Sequence, residues 1–348
     1  MRIALLGAGS IGTIIGALLS RGGEDIVLVN TNQAHVDALN RYGARIVGFV
    51  EDTIPVNAIL PSEMRGQFDL IISLTKLTAT EHSLRAALPH MHDDTIVLNL
   101  QNGTPEDISK EVVGAERVMG GCVEFSATGI EPGVVEWTTQ TTRLEITFGQ
   151  LDGVLTDKTR RVQKCMAHIG RANLTGNLQG VRYTKLTDNA TFSAMSAILA
   201  CDFGQILDSY EAMRCVAYLG REAVQIIAAL GIRPKKLFGF EPTIANLGFS
   251  SPEGLQNVIY RYWPPIYTPS RSGRSSMLHD LEKGRVCEID HINGKFVALG
   301  GILGIDTPFM KTAVAVIKKL QNGELSLATA WDNLKYFNIP RANSATTI

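Results

Sequence analysis

The sequence carries no surplus of charge: 33 basic residues stand against 34 acidic ones, a formal net charge of −1. Without a single-signed field, bulk electrostatic grip on nucleic acid or an anionic membrane is excluded, and neither is expected as a partner. Cysteine is scarce. The five present (Cys122, Cys165, Cys201, Cys215 and Cys287) are odd in number, scattered and free of CxxC pairs. That argues against a disulfide framework and a zinc knuckle, so no metal site is expected and a reducing, cytoplasmic compartment is. Long apolar runs are missing as well. The run at residues 3–6 stops at Gly7, too short for a signal-peptide core, and no later stretch reaches the ~18 apolar residues of a membrane span. With 13 prolines and 33 glycines in 348 residues, the chain reads as neither collagen-like nor disordered. At roughly 100–200 residues per domain, two domains are expected.

In the first half, short apolar blocks at residues 3–6, 26–29, 70–74, 96–100 and 118–122 alternate with helix-compatible segments such as 12–20 and 34–42. Continuous blocks of this kind predict strands buried on both faces of a parallel sheet. Residues 129–148 turn to alternating, turn-punctuated sequence, which predicts antiparallel strands appended to that sheet. After a loop-like stretch at 173–180, apolar residues recur at helical spacing over 181–209, 211–230, 276–304 and 307–321. Residues 232–275 read as part helix, part loop. The fold class expected is α/β: a Rossmann-like dinucleotide-binding domain at 1–177, an all-helical domain at 178–337, and a polar tail at 338–348.

The strongest local motif is Gly7-Ala8-Gly9-Ser10-Ile11-Gly12, a GxGxxG that follows the first strand and opens a helix. Gly7 permits the tight turn, Gly9 lets the backbone approach a pyrophosphate, and Gly12 allows close helix packing, while the helix start offers amides and partial positive charge. The end of the second strand, where an acidic residue would favour NAD and a basic one NADP, reads Asn30-Thr31-Asn32. It has neither, so NADP and NAD both stand, beside Asn32 as a plain helix cap. Lys76 and Asn102 follow later strands at the carboxyl edge, where ligands of such sheets bind. Their plainer readings are a surface lysine and an Asn-Gly turn.

Reduction of a ketone by hydride leaves an alkoxide that needs a proton. Lys185 is read as opening the first long helix of the second domain, with Asn189 and Ser193 following at four-residue steps on one face. A second cluster is Arg274-Ser275-Ser276-Met277 with Glu288-Ile289-Asp290. Ser276 is expected to cap a helix beginning at Met277. A carboxylate turned inward at Glu288 or Asp290 needs a partner, and Lys185 is one that it would hold protonated. Arg285 is the plainer alternative.

Together these residues resemble the ketopantoate reductases (2-dehydropantoate 2-reductases): the glycine motif, Lys76, Leu100-Gln101-Asn102-Gly103, Lys185-Leu186 with Asn189, and Arg274 through Met277 with Glu288-Ile289-Asp290 and Asn293-Gly294. The resemblance runs in order from residue 1 to about 321. It implies substrate held in a cleft between the two domains and NADPH-dependent reduction of 2-dehydropantoate to pantoate, a step of pantothenate biosynthesis. It further implies Lys185 as the general acid and Glu288 as the residue positioning it. Asn102, Asn189 and Ser276 would bind substrate, with Ser193 where the family commonly has a second Asn. Lys76 would line the nicotinamide side, and Thr31 stands where a basic residue is common. A dehydrogenase of another 2-oxo or 2-hydroxy acid, using NAD, and a non-catalytic dinucleotide sensor are the alternatives. The apolar stripes of the helical half leave a homodimer open.

Overall fold

The computed structural model describes residues 1–139, 144–237 and 239–338. Of the tail expected at 338–348, only Asn338 falls among them. The chain divides into two compact units, Met1–Arg182 and Tyr183–Ile348.

In the amino-terminal unit the strands run in chain order as β1 (Arg2–Leu6), β2 (Asp25–Val29), β3 (Ala44–Gly48), β4 (Asp52–Ile54), β5 (Ala58–Ile59), β6 (Phe68–Ser73), β7 (Met91–Asn99), β8 (Val118–Val123), β9 (Ala127–Glu131), β10 (Val134–Trp137), β11 (Leu144–Gln150) and β12 (Gly170–Leu174). The helices are α1 (Ser10–Arg21), α2 (Gln33–Tyr42), α3 (Thr80–Ala87), α4 (Glu106–Val113), α5 (Asp157–Met166) and the start of α6 (Leu178–Asp188). The main sheet has the order β12-β11-β8-β7-β6-β1-β2-β5 and is parallel except where β11 meets β8. Successive residues of β1 enter different cores, Ile3 and Leu5 beside α1, Ala4 and Leu6 beside α3. This two-sided burial explains why the strand sequences are unbroken apolar blocks.

The strands expected at 129–148 do not all append to this sheet. Only β11 does; β9 and β10 join β3 and β4 in a separate sheet of order β4-β3-β10-β9. The reason lies in α1, where every residue from Gly12 to Leu19 is buried. A helix apolar all round needs cover on both sides, and α1 packs on β1 and β2 and also on all four strands of the second sheet.

The helical unit continues α6 through a π-helical turn, Asn189–Ser193, into α7 (Ala194–Leu199). There follow α8 (Phe203–Asp208), α9 (Tyr210–Ala229), α10 (Ile244–Leu247), α11 (Pro252–Asn257), α12 (Trp263–Tyr267), α13 (Ser276–Glu282), α14 (Asn293–Leu303) and α15 (Pro308–Gln321). The helix expected over 181–209 is therefore broken, at Ala200 with φ +51°, and that over 276–304 is split, with Gly284 at φ +61° just past α13. Among the described residues no helix is long and apolar enough to cross a membrane. All five cysteines are buried thiols.

One buried carboxylate ties this unit together. Glu222 of α9 accepts the amides of Phe309 and Met310, each at 2.9 Å, and so closes the open start of α15. Burial outweighs those two bonds and pushes its pKa from 4.5 to about 7. With the folded value above the unfolded one, folding takes up a proton between those limits, so Glu222 makes stability fall as pH rises through that window. In urea unfolding at about pH 5 and about pH 8, the wild type is expected to lose up to about 3 kcal/mol more than Glu222→Gln. Equal losses in both proteins would refute this account of Glu222.

Candidate active site

Strand β1 is flanked by β2 on one side and β6 on the other, so the chain leaves it in opposite directions and opens a crevice at the carboxyl edge. The glycine motif sits there. Gly7 has φ +88°, and a Cβ on it would stand 2.5 Å from the amide nitrogen of Thr75, so the loops after β1 and β6 touch. A Cβ on Gly12 would stand 2.5 Å from the carbonyl oxygen of Gly7, whereas one on Gly9 would meet nothing within 4 Å. Gly9 is also the cap of α1 and offers no side chain to its amides, and no acidic residue lies in the first turn. The first amide turned back into the helix is that of Thr13, bonded to Gly9 O at 2.8 Å. Ser10, Ile11 and Gly12 thus present open donors over an uncrowded glycine, which fits the pyrophosphate of a dinucleotide.

The loop carrying those amides is held from several sides. The Gly7 and Ala8 amides donate to Val29 O at 3.0 and 3.1 Å. Ala8 O accepts from Asn30 Nδ2 at 2.7 Å and from Thr13 Oγ1 at 3.2 Å. His35 completes the chain: its Nδ1 accepts the Gly133 amide at 3.0 Å, and its Nε2 lies 3.1 Å from Thr13 Oγ1. An Nδ1 that accepts places the proton on Nε2, and burial pushes the imidazole pKa down, keeping it neutral. Asn30 is thereby occupied with the loop, its Oδ1 also accepting the Asn32 amide at 2.8 Å. Asn32 caps α2 as the sequence suggests, accepting from the His35 amide, and Thr31 is exposed beside it.

Lys76 is exposed immediately before a 3-10 turn that follows β6. Asn102 is half-buried in the bend after β7, with Gly103 at φ +78°. Sequence reasoning missed what fixes that bend. Arg182, buried at 3% exposure, donates to Gln101 O at 2.7 Å and Asn99 O at 2.8 Å and pairs with buried Glu106 at the start of α4, Nε to Oε1 at 2.9 Å. Removing one partner of such a pair leaves a lone buried charge, at a cost of about 3–5 kcal/mol. The sheet edge thus gathers Gly7 to Gly12, Thr31, Lys76 and Asn102.

In the helical unit, Lys185 stands two turns into α6 and does not open it. Asn177 accepts the Gly180 amide at 3.0 Å, so the helix starts earlier than its apolar period suggests. Asp188 is a carboxylate paired with the ammonium, Oδ2 at 2.9 Å from Nζ. Asn189 and Ser193 bound the π turn, a feature frequent at functional sites, and Ser193 Oγ donates to Asn189 Oδ1 at 3.4 Å. Asn189 Nδ2 is buried with no protein partner among the described residues, a donor suited to a ligand oxygen. The serine pair divides: buried Ser275, not Ser276, caps α13, its Oγ accepting from the Leu278 amide at 3.1 Å, which leaves Ser276 exposed in the first turn. α13 packs against the π turn. Glu288 is buried at the start of the turn Ile289–His291, while Asp290 is exposed and pairs with Lys318 at 2.7 Å.

Residues 3–153 match the family model described as ketopantoate reductase PanE/ApbA, and residues 177–321 match that of its C-terminal domain. A 2-dehydropantoate 2-reductase of Pyrococcus horikoshii is 28% identical over 320 residues, covering 91% of this chain and 97% of the relative. One of Archaeoglobus fulgidus is 24% identical, covering 92% and 98%. Among solved structures, a PanE/ApbA family ketopantoate reductase from Ralstonia eutropha superposes with a TM-score of 0.78 at 24% identity, covering 93% of this chain and 99% of that one. A D-mandelate dehydrogenase bound to NADH and anilino(oxo)acetate superposes with 0.77 at 24%, with the same coverage. These two structures share the fold.

The two glycines separate binding from folding. Gly9→Ala is expected to keep the wild-type melting temperature and to weaken dinucleotide binding, followed by fluorescence titration, by tenfold or more, about 1.4 kcal/mol. Gly7→Ala should lower the melting temperature itself. Unchanged affinity in Gly9→Ala would contradict the site.

Proposed function

Because the chain belongs to the PanE/ApbA ketopantoate reductase family, oxidoreductases acting on CH–OH groups, we propose that it reduces the 2-oxo group of 2-dehydropantoate to give pantoate, with Lys185 as proton donor. The observation that carries this reading is the joint presence of an open, glycine-lined helix start and an ammonium held on a carboxylate beside an unpartnered amide. Ser10, Ile11 and Gly12 would hold the dinucleotide's pyrophosphate through their amides, and Lys76 and Asn102 belong to the same edge. The bound nicotinamide supplies the hydride.

Lys185 gives its proton to the C2 oxygen as that oxygen becomes an alkoxide, and its positive charge stabilises the developing negative one. The Asn189 amide donates to a substrate oxygen, with Ser193 and Ser276 contributing hydroxyls. Glu288, retained with the family motif, is the second carboxylate assigned to positioning the lysine. At the end of β2 no acidic side chain stands to repel a 2′-phosphate, which admits NADPH, the cofactor that the family resemblance implies. The short Ser193 hydroxyl, already engaged with Asn189, supports a second reading in which a related 2-oxo acid is the substrate.

The test is turnover followed by nicotinamide absorbance with 2-dehydropantoate and a panel of 2-oxo acids, using NADPH and NADH. Wild type is expected to favour 2-dehydropantoate with NADPH. Lys185→Ala should lose about 100-fold or more in kcat, the scale of general acid catalysis, while still binding cofactor. Turnover of another 2-oxo acid alone would replace the substrate; normal turnover by Lys185→Ala would overturn the proton donor; no turnover by wild type would leave a dinucleotide-binding protein without this chemistry.

A further inference from the structure

Lysine is a poor instrument for aimed chemistry on its own, since its charge rides on a flexible four-carbon stem with many rotamers. In this protein the aim is supplied by two further side chains. Asp188 Oδ2 lies 2.9 Å from Lys185 Nζ, and the two side chains are 17% and 22% exposed, respectively. The other oxygen, Oδ1, accepts the hydroxyl of Tyr267. Each carboxylate oxygen therefore has its own partner, and rotation of the carboxylate would break both bonds.

Tyr267 is itself immobilised. Its ring stacks on Phe192 at 3.6 Å between centroids and 13° between planes, and meets Phe203 edge-on at 5.2 Å and Trp263 at 6.0 Å. Phe192 belongs to the π turn that begins at Asn189, next to Asp188. Burial and the Asp188 charge push the tyrosine pKa well above its ordinary value of 10, so the hydroxyl stays a donor. A fixed ring thus delivers a fixed hydroxyl to the carboxylate that holds the lysine.

We propose that Asp188 and Tyr267 are positioning residues that orient the Lys185 ammonium for proton transfer. This rests on the reading of Lys185 as the proton donor. It also gives a task to α12, which carries none of the family motifs: the helix brings one hydroxyl to Asp188 from 79 residues away.

Tyr267→Phe keeps the ring stack and removes only the hydroxyl, so its melting temperature and its NADPH affinity should match wild type. Its kcat for 2-dehydropantoate, or for the best substrate of the panel, should fall about tenfold with KM nearly constant, part of the 10²–10⁴ range of general acid catalysis. Asp188→Asn should fall at least as far, and Tyr267→Phe added to it should cost nothing more, because the two act as one unit. Wild-type kcat in Tyr267→Phe and Asp188→Asn beside a dead Lys185→Ala would overturn the positioning role and leave the proton donor standing. Normal turnover by Lys185→Ala would overturn both. Independent, multiplicative losses in the double variant would also contradict the proposal.

Discussion

The amides of Ser10, Ile11 and Gly12 leave the start of α1 with no side chain to receive them, because the residue at the cap is Gly9. That open end is the constraint on which the amino-terminal unit turns. An anion site made of backbone amides works only if the loop holding them cannot relax to bond them internally. Here the competing groups are all engaged elsewhere. Ala8 O is taken by Asn30 and Thr13, Thr13 by His35, and His35 by the Gly133 amide of the turn between β9 and β10. The second sheet, which first serves to cover an all-apolar α1, therefore also anchors the glycine loop, through a histidine whose lowered pKa keeps the chain of donors running one way.

Carboxylates do comparable work at two other points. In the amino-terminal unit Glu106 holds Arg182, which ties down the carbonyls before Asn102. In the helical unit Asp188 holds Lys185. In both places a long cationic side chain is prevented from sampling its rotamers by a second charge whose own orientation is set by further hydrogen bonds or burial. The flexible residue types are used where they can be clamped.

The parallel strands and the glycine motif were legible because they are written locally: two-sided burial gives unbroken apolar blocks, and a positive φ at Gly7 calls for glycine. Lys185, Asn189 and Ser193 were legible as a spacing. Asp188, three residues after Lys185, lay in plain view, but a reading at four-residue steps passes over it. Other features depend on tertiary packing that no window of sequence contains. Gly133 lies 98 residues from His35, Tyr267 lies 79 from Asp188, and Arg182 lies 76 from Glu106. The break at Ala200 has no glycine or proline to announce it. The serine pair carried the right residue type for a cap, and the choice of Ser275 over Ser276 came from burial: the Ser275 amide donates to Ser196 Oγ at 3.2 Å, fixing which serine faces inward.

The central claim is hydride transfer from a nicotinamide to C2 of a 2-oxo acid. It is tested most directly by supplying NADPH deuterated at C4 on the transferring face, together with 2-dehydropantoate, and reading the product by mass spectrometry. The account predicts pantoate carrying one deuterium, bound at C2. Pantoate formed without the label, or labelled cofactor consumed with no deuterium in any product, would contradict it.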